Sequence, residues 1–195
     1  MDTFEIDGMI IENGKQMMQT EIDKEETHLV SVECKLRWFG YGEWVEEADK
    51  ITFQYKGYEC MIQRVFAPEP MQENSVFGGH LCGYVNVPKT HCYYKATYAQ
   101  MAILCHGGLT YNSTKDWGKE HWIGFDCAHW NDFMPSINNF KKKISQTDRH
   151  MDEILAIYPQ MQQVYKNMDF CTKQCTSIVD QLIEIQEEHD NKEME

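Results

Sequence analysis

Residues 79–132 concentrate the side chains that can do acid–base or nucleophilic chemistry. This stretch of 54 residues holds five of the eight histidines, four of the eight cysteines and three of the five tryptophans. Histidine titrates near neutral pH, and cysteine is a nucleophile when it is ionised, so both residue types serve catalytic sites. We therefore expect the chemistry of the chain, if it has any, to lie in this stretch.

The first candidate motif is His106-Gly107-Gly108, which lies inside an apolar run. A pair of glycines weakens a strand, and it is tolerated where a ligand or another backbone must come close. A histidine at the edge of such a gap can donate or accept a hydrogen bond. The alternative interpretation is a β-bulge beside a hydrogen-bonded core histidine.

The second candidate motif is a set of three polar residues spaced three apart: Asp126, His129 and Asp132. If a helical turn follows the apolar run that ends at Asp126, these side chains share one face. A carboxylate beside an imidazole orients the ring and raises its basicity, which is the arrangement of a general base. The alternative is an aspartate that caps a short turn. The catalytic residues predicted are His106, Asp126, His129 and Asp132.

The order of the segments predicts that His106, Asp126 and His129 meet in one pocket. Ile103–Tyr111 and Trp122–Cys127 are both strand candidates, and the turn-rich segment Asn112–Gly118 links them. Such a link makes antiparallel neighbours, in which the start of one strand lies beside the end of the next.

Glycine amides and histidines can bind phosphate, and aromatic rings can stack on a base. On these grounds we expect a pocket for a small anionic, nucleotide-derived ligand. The ligand-binding residues predicted are His80, Cys82, Tyr84, Gly107, Gly108, Thr110, Tyr111, Trp122 and Trp130.

Neither a metal nor a cofactor is predicted. Structural zinc sites show paired Cys-x-x-Cys knuckles, which this chain lacks. A catalytic metal on His106, Asp126 and His129 is chemically reasonable, but the spacing is not diagnostic. A cysteine nucleophile, Cys82 or Cys127 paired with His106, is a further alternative, although an unpaired cysteine usually serves as a small core residue.

Hydrophobic periodicity predicts an α+β fold, an antiparallel sheet with C-terminal amphipathic helices. Alternation over Leu29–Trp38 predicts a strand, Ile51–Tyr55 and Tyr58–Phe66 a hairpin, and Leu81–Val87 another strand. Apolar residues at three- and four-residue spacing predict helices after Pro135 and over Met161–Ile185, with Cys171 and Cys175 in the core and a frayed tail at 187–195. We expect a variable N-terminal extension over 1–40 and one domain over 41–190.

Charge and hydropathy restrict the partners and the compartment. The net charge of −13 argues against a nucleic-acid polymer as partner, since binding to phosphate needs clustered lysine and arginine. Residues 79–132 carry four acids and four bases, so an anionic ligand would not be repelled there. No apolar run is long enough for a membrane span, and no signal peptide is evident. We expect a cytoplasmic protein with reduced thiols, and a homo-oligomer through the C-terminal helix is an open alternative.

The sequence resembles a family of small proteins encoded by bacteriophages, prophages and some bacteria. The resemblance is carried by GHLCGYVNVPKTH from Gly79, HGGLTY from His106 and WIGFDCAHWND from Trp122. It starts near Gly42 and ends in a helix like Tyr165–Leu182, about three-quarters of the chain. Where relatives carry a small residue and a glycine after the third-motif histidine, this chain has Trp130 and Asn131. The resemblance implies a phage or mobile-element context rather than a particular reaction.

Three functions are compatible with these features. The first is a phage-type accessory protein that binds a nucleotide-derived signal of bacterial immunity. Hydrolysis of the bound signal is an open alternative within this function. The second is a hydrolase of an unrelated substrate that uses the same histidines and aspartates. The third is a protein-interaction module that inhibits a host protein, in which the motifs are only signatures of the fold.

Overall fold

The computed structural model describes residues 3–6, 9–12, 15–18, 22–67, 78–113, 120–145 and 163–194. These residues form a three-stranded sheet, a six-stranded sheet and three α-helices, which confirms the predicted α+β class. The small sheet contains β1 (Thr3–Ile6), β2 (Met9–Glu12) and β3 (Lys15–Met18). The larger sheet contains β4 (Lys24–Thr27), β5 (Lys50–Tyr55), β6 (Tyr58–Arg64), β7 (Leu81–Val87), β8 (Tyr111–Ser113) and β9 (His121–Asp126). The helices are α1 (Val32–Phe39), α2 (Pro135–Ser145) and α3 (Met168–Glu193).

All neighbouring strands of the larger sheet are antiparallel, in the order β4-β5-β6-β7-β9-β8. The predicted hairpin is present, and Lys56 and Gly57 form its two-residue turn with φ angles of 48° and 85°. Two positive φ angles in succession mark the turn type whose twist matches that of the strands. The predicted strand Leu81–Val87 is β7, and the strand predicted at Trp122–Cys127 is β9, one residue earlier.

Helix α3 covers one face of this sheet. Its apolar stripe, which includes Cys171, Cys175 and Leu182, is fully buried against β6, β7 and β9. Gly83 in β7 lets the helix approach closely, since a Cβ there would lie 2.4 Å from Phe125 and 2.9 Å from the Cys175 sulfur. The apolar face that was considered for oligomerisation is therefore packed on the chain's own sheet.

The strand predicted over Leu29–Trp38 is wrong, because residues 32–39 form α1. Ser31 accepts a hydrogen bond from the Cys34 N–H at the start of the helix, and Gly40, at φ 70°, donates to the Leu36 carbonyl at its end. These capping signals outweigh the alternation of apolar residues. Lys35 then lies on the inner side of the helix and is fully buried.

The strand predicted over Ile103–Tyr111 is also wrong, apart from its last residue. Only Tyr111–Ser113 forms a strand, which pairs with β9, while residues 103–110 lie outside the strands and are bonded to α3 at Leu104 and His106. The side-chain amide of Gln181 accepts from the Leu104 N–H at 2.7 Å and donates to the Leu104 carbonyl at 2.8 Å. The side chain of Gln174 accepts from the His106 N–H at 2.8 Å. Side-chain amides of the helix thus satisfy backbone groups that a neighbouring strand would otherwise satisfy.

The helix predicted over Met161–Ile185 begins later and ends later than expected. Asn167 caps α3 by accepting from the Phe170 N–H at 3.0 Å, and the helix continues to Glu193, through most of the tail predicted to fray. The helix predicted after Pro135 is α2, and the part of that prediction beyond residue 145 lies outside the described residues. No helix within the described ranges has the length and apolarity needed to cross a membrane.

Candidate functional site

Two histidines and one aspartate meet at the end of the larger sheet. His106 Nε2 lies 2.8 Å and 3.0 Å from the two carboxylate oxygens of Asp132. His129 Nδ1 lies 3.2 Å from Asp132 Oδ2, and the backbone N–H of His129 donates to the same oxygen at 3.0 Å. The two imidazole rings stand edge to face, with centroids 5.0 Å apart. The predicted convergence of His106 and His129 is therefore observed, with Asp132 between them.

Asp132 is fully buried, whereas the side chains of His106 and His129 are 16% and 26% exposed. Burial alone would raise the pKa of Asp132, but the hydrogen bonds from His106 and from His129 hold it below its usual range. The cluster therefore consists of an ionised carboxylate at its base and two imidazoles that solvent can reach.

Three separate segments position the cluster. His106 is held through its N–H by Gln174 of α3, and its ring packs edge-on against Phe170 at 5.3 Å between centroids. His129 lies in the turn after β9, where the Asp132 N–H donates to the His129 carbonyl at 2.9 Å. Asp132 also forms a bridge with Val164 just before α3.

The two glycines after His106 have different roles. Both have positive φ angles, 66° at Gly107 and 86° at Gly108. A Cβ on Gly107 would lie 1.9 Å from Nε2 of His129, so only glycine leaves room for that ring. A Cβ on Gly108 would have no neighbour within 4 Å. The gap predicted beside His106 is thus partly filled by His129.

Asp126 borders the cluster, and the carboxylate between the two histidines is that of Asp132. Asp126 Oδ1 is 3.9 Å from His129 Nδ1, and it accepts the Ala128 N–H at 3.0 Å, so Asp126 caps the turn. The strand that was expected to bring His106 to the end of β9 does not form, and residues 103–108 bring His106 to Asp132. Asp126 remains at the border of the cluster, with its side chain 30% exposed.

Several predicted ligand-binding residues lie on the sheet face opposite α3. The register places Cys82 opposite Asp126 and Tyr84 opposite Gly124, on the side away from the helix. Tyr111 packs edge-on against Tyr84 at 5.2 Å, and the Thr110 N–H donates to the Gly124 carbonyl. Asp126, the register partner of Cys82, connects this face with the cluster, since its Oδ1 lies 3.9 Å from His129 Nδ1.

The predicted aromatic platforms differ in exposure. Trp122 is buried and donates its Nε1–H to Glu120 at 3.1 Å. Trp130, next to His129, is 71% exposed, and its carbonyl accepts from Gln163 at 3.2 Å. Trp130 is therefore the tryptophan that presents its ring to solvent beside the cluster.

His80 lies near the cluster without joining it. Burial lowers the pKa of His80, while the carboxylates of Asp126 and Asp132 oppose that change. Among the described residues its buried Nδ1 has no hydrogen-bond partner. His80 is thus a neutral imidazole within electrostatic reach of both aspartates.

The cysteine alternative finds no support in the geometry. Burial raises the pKa of Cys82 to about 12, so its thiol stays protonated at neutral pH. Cys127 is buried, and contact with Cys171, 3.7 Å between sulfurs, is the main cause that raises its pKa, with burial next. Neither thiol has the raised reactivity of a nucleophile.

Among the described residues, a metal ion could be held by His106, His129 and Asp132, whose ligand atoms all lie within 4.8 Å of one another. Sequence reasoning included these three residues but missed Gln174 and Phe170, which position His106. The helical pattern of α3 gave no sign that these two residues face the loop of His106, which lies 68 positions before Gln174 in the chain. A comparison of the chain with protein-family models, curated protein sequences and solved structures found no match.

Proposed function

We propose that the protein binds a small anionic, nucleotide-derived ligand at the cluster of His106, His129 and Asp132, beside Trp130. In the phage context that the family resemblance implies, such a protein would bind a signal of bacterial immunity in the host cytosol and thereby counter host defence. The observation that carries the proposal is the convergence of two solvent-accessible imidazoles, from separate segments, on one buried carboxylate.

The free-energy cost of burying the Asp132 carboxylate favours a role in binding. A fully buried carboxylate loses its hydration, and the bonds it receives from two histidines compensate for that loss. An apolar residue in the same space would need no hydrogen bonds to compensate for lost hydration. The geometry instead keeps His106 and His129 oriented and partly exposed, as a binding site requires.

The surroundings suit a nucleotide-derived ligand. Backbone N–H groups of glycine-rich loops can bind phosphate oxygens, and an exposed indole stacks on a base, a contact worth about 1–3 kcal/mol where it has been measured by substitution. Trp130 lies directly after His129 in the chain and is largely exposed. The balanced charge of residues 79–132 leaves an anion without general repulsion.

Hydrolysis of the ligand is the second candidate function, and the hydrogen bonds to Asp132 favour it. A carboxylate that holds one ring nitrogen of a histidine fixes its tautomer and leaves the other nitrogen to act as a base. Both His106 and His129 are held by Asp132 in this way. Either ring could therefore remove a proton from water.

A panel of nucleotide-derived compounds tests the proposal. The purified protein would be melted with cyclic dinucleotides, cyclic trinucleotides and ADP-ribose, and each compound would then be analysed by liquid chromatography. Stabilisation without loss of the compound supports binding, whereas its consumption supports hydrolysis. His129→Gln and Trp130→Ala should reduce the effect, and Tyr41→Ala, which removes an exposed ring of α1's flanking loop, should not.

If no compound in the panel stabilises the protein or is consumed, the proposal fails. A host protein that co-purifies from bacterial lysate in that case, and that binds equally well to His129→Gln, would favour the interaction module instead.

A further inference from the structure

We infer that His106, His129 and Asp132 bind one divalent transition-metal ion, with two nitrogen ligands and one carboxylate. This inference deepens the proposed function, since its relevance to the nucleotide-derived ligand rests on that proposal. The metal site itself stands on the geometry of the three side chains.

The distances between the donor atoms fit a shared ion. Metal–nitrogen and metal–oxygen bonds are about 2.0–2.1 Å, so two ligands at angles of about 90–110° lie about 2.9–3.4 Å apart. Asp132 Oδ2 lies 2.8 Å from His106 Nε2 and 3.2 Å from His129 Nδ1. Small rotations of the side chains would convert these hydrogen bonds into metal ligation.

The chemistry of the donors selects the class of ion. Imidazole nitrogens suit zinc, iron, cobalt and nickel, whereas magnesium and calcium prefer oxygen ligands. Three protein ligands also leave coordination positions for water or a ligand, as in catalytic rather than structural zinc sites. The partial exposure of both histidines places those positions on the solvent side.

Surrounding groups hold the ligands as a metal site requires. Gln174 fixes the backbone of His106, and the missing side chain at Gly107 makes the space that His129 occupies. Asp126, with Oδ1 3.9 Å from His129 Nδ1, could accept a hydrogen bond from a metal-bound water. The proposed ligands are thus held in place by neighbouring residues, unlike side chains on an open surface.

A divalent ion also resolves an electrostatic difficulty of the proposed function. The carboxylate of Asp132, 2.8 Å from His106 Nε2, lies at the base of the site, and a carboxylate repels the phosphate of a nucleotide-derived ligand. Two positive charges of the ion reverse the sign of the local field and give a phosphate oxygen a direct partner. The ion and the exposed Trp130 would then bind the two ends of one ligand.

Cobalt(II) and zinc(II) are the probes for the test. The full chain, freed of metal with a chelator, would be titrated with cobalt(II) and followed by absorption, and then competed with zinc(II), with the bound metal counted by mass spectrometry. We expect one equivalent of metal per chain. His106→Gln and His129→Gln should each weaken binding at least about 10-fold while the circular dichroism spectrum stays unchanged.

His189→Gln is the matched control, because His189 is exposed and lies beside Asp190 and Glu193 on the last turns of α3. Binding of about one equivalent in that variant supports the inference. The inference is overturned if the chain binds no metal, if His106→Gln and His129→Gln both keep full affinity, or if His189→Gln is the variant that loses it.

The nucleotide panel, repeated with chelator-treated and metal-loaded protein, separates the two proposals. Metal binding that depends on His106 and His129 supports the site even if no nucleotide binds, and in that outcome the proposed ligand class fails alone. Nucleotide binding with equal strength to a chain that binds no metal overturns the metal site and keeps the proposed function.

Discussion

His106 and Asp132 are 26 residues apart in the chain, yet Nε2 of the histidine lies 2.8 Å from one carboxylate oxygen and 3.0 Å from the other. The same carboxylate accepts the backbone N–H of His129. One fully buried aspartate therefore fixes two histidines from separate segments, and the candidate site depends on it.

We expect Asp132→Asn to lower the free energy of unfolding by about 1.5–3 kcal/mol, because hydrogen bonds to a charged group in the folded state are lost. The amide nitrogen that replaces one carboxylate oxygen would also lie opposite a histidine N–H, and that N–H would lose its acceptor. Asp126→Asn is the matched control, since Asp126 is partly exposed and its remaining oxygen can still cap the Ala128 N–H. Urea denaturation of both variants measures the difference, and equal effects would contradict the central role of Asp132.

Gly107→Ala and Gly108→Ala separate the cost of backbone strain from the space needed by His129. Both positions have positive φ, so each alanine incurs a similar penalty of roughly 1–2 kcal/mol. Only the Gly107 Cβ collides with the His129 ring. We expect Gly107→Ala to be the less stable variant and to shift the imidazole signals of His129 in an NMR spectrum. Identical spectra for the two variants would show that His129 does not need this space.

The sequence predicted the parts of the fold in which local pattern and tertiary contacts agree. The hairpin turn at Lys56-Gly57, strand β7 and the buried cysteines of α3 are all present as expected. At α1 the two signals conflict, because apolar alternation favours a strand while Ser31 and Gly40 favour a helix. The caps decide the outcome, and the sequence contained that information.

The candidate site shows what local patterns cannot supply. Asp126 and Asp132 are equally spaced from His129, so spacing alone does not tell which of them meets His106. That choice depends on the path of residues 103–108, whose backbone is held by Gln174 and Gln181 of α3. Glutamines on a helix surface are common, and nothing in their sequence context indicates a partner so far away in the chain.

The pH dependence of stability should reflect two buried neutral histidines outside the site. His121 Nδ1 accepts from the Lys95 N–H at 3.0 Å, and its Nε2–H donates to Asn112 at 2.7 Å. His91 is bonded in the same way by the Tyr93 N–H and the Leu182 carbonyl. A proton added to either Nδ1 would break a backbone hydrogen bond.

Burial lowers the pKa of both His91 and His121 below 6.5. As pH falls through 6.5 the unfolded chain takes up protons that the folded chain does not, so stability is full above that pH and declines below it. We expect the free energy of unfolding to decrease between about pH 7.5 and 5. His121→Gln, which cannot titrate, should show a shallower decrease. A flat profile for the unmodified chain would mean that neither histidine is buried in its neutral form.

The last prediction contrasts a buried ion pair with an exposed one. Asp49 is fully buried and accepts from Lys35 Nζ at 2.9 Å, from Arg64 Nε at 3.1 Å and from the Leu29 N–H at 2.9 Å. Asp49→Ala would leave two buried cations without this partner, so we expect a loss of about 3–5 kcal/mol in the free energy of unfolding.

Asp180→Ala removes the exposed partner of Lys56, whose Nζ lies 2.8 Å from the carboxylate, and should cost less than about 1 kcal/mol, because water screens that pair. Denaturant titration at low and high salt distinguishes the two cases. Only the small Asp180 effect should fade at high salt, since the Asp49 pairs are shielded from counterions. A cost for Asp49→Ala as small as that for Asp180→Ala would show that the buried network does not hold α1 and β6 together.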